Sequence, residues 1–185
     1  MIYIIDHKDS FTQNVVHQFS NFGNVECDNF DKINQKKLDQ SKVIVFSPGP
    51  GSPKDYPMSS KIYKKYKGKK KIIGICLGFQ QILYSEKGKI IEQKKIYHGY
   101  QSKVRVISNY SLFKKNRIFK VGRYHSLKLK EPFYSKNFEI TMRCAISNVA
   151  MAIENNKDKI YGFQFHPESF LTENGNLLIK KILSI

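Results

Sequence analysis

The feature that most constrains this chain is the run Ile72-Ile73-Gly74-Ile75-Cys76-Leu77, which passes without a linker into a helical pattern from about Gly78 to Ser85. A strand that is apolar at every position has no face to give to water, so it belongs inside a sheet covered on both sides. Met1–Ile5 and Val43–Phe46 have the same character. Between these runs lie helical segments. Phe11, Val15, Phe19 and Phe22 mark a helix over Phe11–Phe22, with Asp9 or Ser10 as its cap, and a second helix is expected from about Pro57 to Tyr66. Apolar strands alternating with helices predict an α/β fold with a mostly parallel, doubly wound sheet.

The second half changes character. Lys103–Ile107, Arg117–Val121, Phe138–Cys144, Val149–Glu154 and Ile160–Phe165 read as strands, several of them alternating, with turn residues between. They predict additional antiparallel strands. Thr172–Leu183 reads as a closing helix with Leu177, Leu178 and Leu183 on its apolar face. With no repeat, linker or compositional break, the 185 residues are expected to form one domain.

Charge bears on which partners to expect. The chain carries 32 Lys+Arg against 15 Asp+Glu, a formal +17, but only Arg105, Arg117, Arg123 and Arg143 are arginines. Arginine's planar fork is the better reader of phosphates and bases, so a lysine excess spread along the chain points to solvated faces and no nucleic-acid partner. Lys64–Lys71 is the densest basic stretch and reads as a helix end and loop. No apolar run approaches the ~20 residues of a membrane helix, and Asp6 interrupts the apolar start, so neither a membrane partner nor a signal peptide is expected. Cys27, Cys76 and Cys144 form no ligand or disulfide pattern. Together these features predict a cytoplasmic protein.

Three loops carry chemistry. Gly74-Ile75-Cys76-Leu77-Gly78 is a nucleophile elbow with cysteine at its apex. Such a turn presents the sulfur at a helix N-terminus, where the dipole favours thiolate, and leaves the Leu77 amide free to stabilise an oxyanion. A base is then needed, and among five histidines His166 stands out, following a strand and preceding Pro167, with Glu168 two residues on to accept its imidazole N–H. Ser47-Pro48-Gly49-Pro50-Gly51-Ser52-Pro53 follows the Val43–Phe46 strand and is rigid at its prolines and open at its glycines. In a doubly wound sheet, loops leaving neighbouring strands at their C-terminal ends share one crevice. Taken singly, each loop also has a structural reading as a buried cysteine, a core histidine or an ordinary turn.

The ordered set of motifs resembles the class I glutamine amidotransferases, nearest to the glutaminase subunits of anthranilate and aminodeoxychorismate synthases. The resemblance rests on Asp9–Thr12, Ser47–Pro53, Gly74–Gln80, His98-Gly99, Arg123–Leu127 and Gly162–Ser169, nearly end to end. It implies a Cys76, His166 and Glu168 triad acting on L-glutamine, with the Gly51 and Leu77 amides as oxyanion donors. It further implies that Gly49, Pro50, Gly51, Gln80, Ser126 and Leu127 hold the substrate. No metal or organic cofactor is implied, and the expected partner is a chorismate-binding synthase subunit.

Three positions depart from the family pattern: Phe79 where histidine is common, Lys87 in place of the first glycine of a pair, and Tyr100 where lysine is usual. None is a triad member. Anthranilate synthesis is the leading reading. Aminodeoxychorismate synthesis and a non-catalytic, basic polyanion-binding protein are the alternatives.

Overall fold

The computed structural model describes residues 1–185. Five strands form a parallel block: β1 (Ile2–Asp6), β2 (Val25–Asn29), β3 (Val43–Phe46), β4 (Lys71–Ile75) and, much later in the chain, the strand Ile160–Phe163. With β5 (Ile90–Glu92), β6 (Tyr100–Val106), β7 (Ile118–Arg123), β8 (Leu127–Leu129), β9 (Glu139–Cys144) and β10 (Ala150–Asn155) introduced, that late strand is β11. The main sheet has the order β2-β1-β3-β4-β11-β10-β9-β6-β7, antiparallel from β11 onward, and β5 pairs with β8 in a separate ribbon. The expected α/β architecture is therefore found, with the two strand classes fused edge to edge.

Helices cover both faces. On one, α1 (Thr12–Ser20) contributes Val15 and Phe19, and the last helix, α5 (Gly175–Leu183), contributes Leu178, Ile179 and Ile182. On the other lie α2 (Gln35–Gln40) with Leu38, α3 (Pro57–Tyr66) with Ile62 and Tyr63, and α4 (Leu77–Ser85) with Phe79, Ile82 and Leu83. Burying such side chains is worth about 1.5–3 kcal/mol each. Phe79 is fully buried and lies against Gly162, so that departure is a packing choice.

Several expectations are corrected. Helix α1 begins at Thr12, and neither Asp9 nor Ser10 caps it. Asp9 instead accepts the Phe11 amide at 2.8 Å, in a turn before the helix. Helix α5 begins at Gly175 because Thr172 is engaged elsewhere, its hydroxyl bridging the Gly122 amide and the His166 carbonyl. Leu177 points outward, 45% exposed, whereas Leu178 and Leu183 pack on the core as expected, with Ile179 and Ile182. β11 ends at Phe163, where the chain turns toward His166. Lys87 takes the left-handed conformation (φ 68°) beyond α4, the geometry at which glycine has no Cβ penalty. No helix is long and apolar enough to cross a membrane.

Candidate active site

The register of the parallel block brings the three sequence-predicted loops together. Phe46 pairs with Gly74, and Gly74 with Gly162, so β3, β4 and β11 end side by side. The Cys76 amide donates to the Phe163 carbonyl at 2.8 Å, tying the elbow to the start of the His166 turn. Cys76 itself has φ 52° and ψ −100°, a strained conformation for a residue with a side chain. Such strain costs on the order of 1–3 kcal/mol and persists only where packing over-determines it. Here the over-determination is visible at Gly78, where an added Cβ would lie 2.2 Å from the Phe46 carbonyl oxygen.

His166 is buried and oriented from several sides. Its Nδ1 lies 2.6 Å from Glu168 Oε1, and the carboxylate is itself fully shielded. Nε2 has no hydrogen-bond partner. Burial opposes the charged ring, but the charges of Glu168 and Cys76 outweigh it and hold the imidazole well above its ordinary 6.5. Phe11 and Tyr124 stand edge-on to the ring at 5.2 and 4.9 Å between centroids. The turn beneath is fixed by the His166 amide donating to Gly122 and by Gln18 donating to the Pro167 carbonyl.

The Pro/Gly loop is anchored by a buried histidine. The His7 amide donates to Ser47 Oγ, His7 Nε2 lies 2.9 Å from Ser59 Oγ, and burial lowers His7 to about 4. Tyr56 donates to the Pro50 carbonyl, and Asp55 accepts the Ser52 amide at 2.8 Å. Gly51 adopts φ 72°. The amides of Gly51 and Leu77 donate to no backbone carbonyl.

These pieces enclose a cleft of about 230 Å³. Gly49, Pro50, Gly51, Cys76, Leu77, Gln80, Ser126 and Leu127, all predicted, line it with Asp9, Tyr124 and His125. His166 and Glu168 lie behind the lining. Gln80 donates to Gln164 Oε1 at 3.0 Å and reaches the Leu127 carbonyl at 3.4 Å, while Gln164 Nε2 lies 3.8 Å from Cys76 Sγ. Residue-level reasoning missed Gln164 and the ring contacts of Phe11 and Tyr124. Each lies inside a quoted motif, but nothing in its residue type points to an orienting part.

The chain matches the family model for glutamine amidotransferase class-I over residues 3–184. It belongs to the class I glutamine amidotransferases. Among curated relatives, it is 38% identical to "Anthranilate synthase component 2" of Lactococcus lactis, an alignment covering all of this chain and 94% of that protein. It is 36% identical to "Bifunctional protein TrpGD" of Thermotoga maritima, again over the whole chain but only 32% of the larger relative. Among solved structures, PurLQS from Thermotoga maritima superposes with a TM-score of 0.75 at 18% identity, covering 99% of this chain and 96% of that one, a likeness of fold.

Proposed function

We propose that this chain is the glutaminase subunit of anthranilate synthase, hydrolysing glutamine and passing ammonia to a separate chorismate-using subunit. The observation that carries the chemistry is the imidazole of His166, bound through Nδ1 to the sealed Glu168 carboxylate, with Nε2 unpartnered. The tryptophan-pathway relatives support anthranilate as the product over aminodeoxychorismate.

In this reading Cys76 Sγ, as thiolate, attacks the side-chain amide carbon of glutamine. The carbonyl π electrons move to oxygen, which the Gly51 and Leu77 amides stabilise. His166 gives its proton to the departing nitrogen, the C–N bond breaks, and ammonia leaves a thioester. A water molecule then attacks that carbon as His166 takes its proton. The C–S bond breaks, the product carboxylic acid loses its remaining proton to solvent as glutamate, and the Cys76 thiolate beside protonated His166 is restored. Glu168 orients the ring and stabilises its charged form throughout. Gly49, Pro50, Gln80, Ser126 and Leu127 hold the substrate.

The test is glutamate release from glutamine with chorismate present, adding candidate synthase subunits one at a time. Stimulation by an anthranilate-forming subunit, with a loss of about 10³-fold or more in Cys76→Ser, is expected. Stimulation only by an aminodeoxychorismate-forming subunit would reassign the pathway. Undiminished release by Cys76→Ser would remove the triad.

A further inference from the structure

Arg123 ends β7, and its guanidinium is fully buried. No carboxylate pairs with it. Its Nε donates to His125 Nε2 at 3.0 Å, one NH₂ group donates to Cys144 Sγ at 3.4 Å, and the other has no partner. The guanidinium carbon lies over the Tyr97 ring, 3.5 Å from its centroid. Burying a charge in this way is costly, and burial lowers the guanidinium's proton affinity. An apolar side chain would fill the same space without that cost, so the charge calls for another explanation.

The explanation lies in what it does to His125. A guanidinium has only donors, so the lone pair must sit on Nε2 and the proton of the neutral ring on Nδ1. That proton points at the Leu127 carbonyl, 2.8 Å away; the Gln93 side-chain nitrogen lies farther from Nδ1, at 3.2 Å, and donates to the His125 carbonyl at 2.6 Å. Burial and the adjacent Arg123 charge lower His125 to about 3, with the Leu127 carbonyl opposing and His166 adding to the effect. The ring is therefore neutral and in one tautomer throughout the working range. Leu127 O also receives Gln80, which reaches through Gln164 to Cys76 Sγ. Behind the segment, Gln93 donates through its amide to the Ser126 carbonyl and through its side chain to the His125 carbonyl, and the Tyr97 amide donates to the His125 carbonyl.

We infer that Arg123 is a positioning residue: by fixing the His125 tautomer it holds the Ser126–Leu127 segment in the geometry that accepts the glutamine substrate. The inference rests on the proposed glutaminase reading for its substrate, while the tautomer is a property of the folded chain alone. Arg123 touches no reacting atom. Its loss weakens substrate holding and leaves the chemical step largely intact.

The experiment is steady-state glutamate release by the full-length chain with its activating subunit, comparing wild type with Arg123→Met, together with ¹⁵N NMR of the His125 ring in the chain alone. The variant should raise KM for glutamine about tenfold, the effect of one misplaced hydrogen-bonding segment, with kcat within about threefold. The wild-type ring should show Nδ1 protonated and Nε2 bare, and the variant a mixture of tautomers. A kcat loss at constant KM would mean a purely structural role and overturn the inference, as would a wild-type ring protonated on Nε2. Should Arg123→Met not fold, His125→Asn and His125→Gln decide. Asparagine places an amide donor where Nδ1 sits and should keep KM closer to wild type than glutamine does, and the reverse order would overturn the inference. A wild type that releases no glutamate in any partner's presence would count against the glutaminase reading, with the NMR result still standing for or against the Arg123–His125 geometry.

Discussion

The two ends of the parallel block make opposite uses of charge. At the C-terminal ends of β3, β4 and β11, the candidate active site is a cleft of about 230 Å³ with the His166–Glu168 pair sealed behind the lining. At the N-terminal ends lies a larger cleft, about 640 Å³, edged by Lys42, Lys69, Lys70, Lys71, Lys157 and Lys159. The basal cleft has the greater room and the greater charge. It has a left-handed residue of its own, Lys159 at φ 56°, but no buried titratable pair. Its most buried lysine is occupied as a structural cation, Lys71 Nζ donating to the Ile182, Leu183 and Ile185 carbonyls at 2.7, 3.0 and 2.8 Å. The candidate active site thus differs from the basal cleft in its shielded pair, and neither volume nor net charge marks it out.

The largest expected effect at the reactive end, short of removing the nucleophile, is Glu168→Gln. The amide keeps the shape but withdraws the charge that raises His166. Glutamate release should fall by roughly 10²–10³-fold. Stability should change too, with a definite sign. Because folding raises the His166 value above 6.5, its pairing with Glu168 is fully present below 6.5 and is lost as pH rises through the elevated folded value. The stability of wild type to denaturant should therefore fall on the alkaline side of neutrality more than that of Glu168→Gln. Parallel pH profiles, or a variant within threefold of wild-type rate, would erase the difference drawn between the two ends.

How much of that difference is legible in the sequence depends on what each element is made of. Val43–Phe46 and Pro57–Tyr66 were readable to the residue, because an all-apolar run and a proline-started periodic segment each admit one solution. Strand β2 was not, since Val25-Glu26-Cys27-Asp28-Asn29 is a half-buried edge with no apolar run. Helix α2 escaped because it buries only Leu38 and owes its start to the Asn34 side chain accepting the Lys37 amide at 3.1 Å. Within the site, the Cys76, His166 and Pro/Gly loops were legible, since residue type and strand context point to them together. Arg123 and His125 were visible as a motif but silent as to role, because a tautomer is fixed by tertiary neighbours. The basic stretch Lys64–Lys71 was read as a solvated helix end. In the structure its last residue is instead only 7% exposed and caps α5.

The basal end has its own test in Lys71→Met. Methionine fills the volume but leaves three carbonyls at the end of α5 without their donor. The expected loss is about 1 kcal/mol, because only the Ile182 carbonyl is buried while Leu183 is half-buried and Ile185 is exposed. Glutamate release per folded molecule should stay within about twofold, because the site lies at the other end of the strands. Urea unfolding and an active-site thiol titration separate the two quantities. A fall in turnover at full occupancy would show that the ends are coupled, and the contrast between them would then have to be recast.

The smallest effect is the most discriminating for the lysine cleft itself. Lys71 is held below its ordinary 10.5, first by burial and then by the charge of Lys159. A depressed lysine value means that the fold disfavours the charged form, so folding is penalised below the folded value and recovers as pH rises toward 10.5. Lys159→Gln removes one source of that penalty. Stability near neutral pH should rise by a few tenths of a kcal/mol at low salt, and the gain should shrink as ionic strength rises and the Debye length falls to about 8 Å. Opposite charge reversal, Lys159→Glu, should roughly double the gain and keep the same salt trend. If both variants are neutral or destabilising at low salt, the basal lysines are not repelling one another in the folded chain.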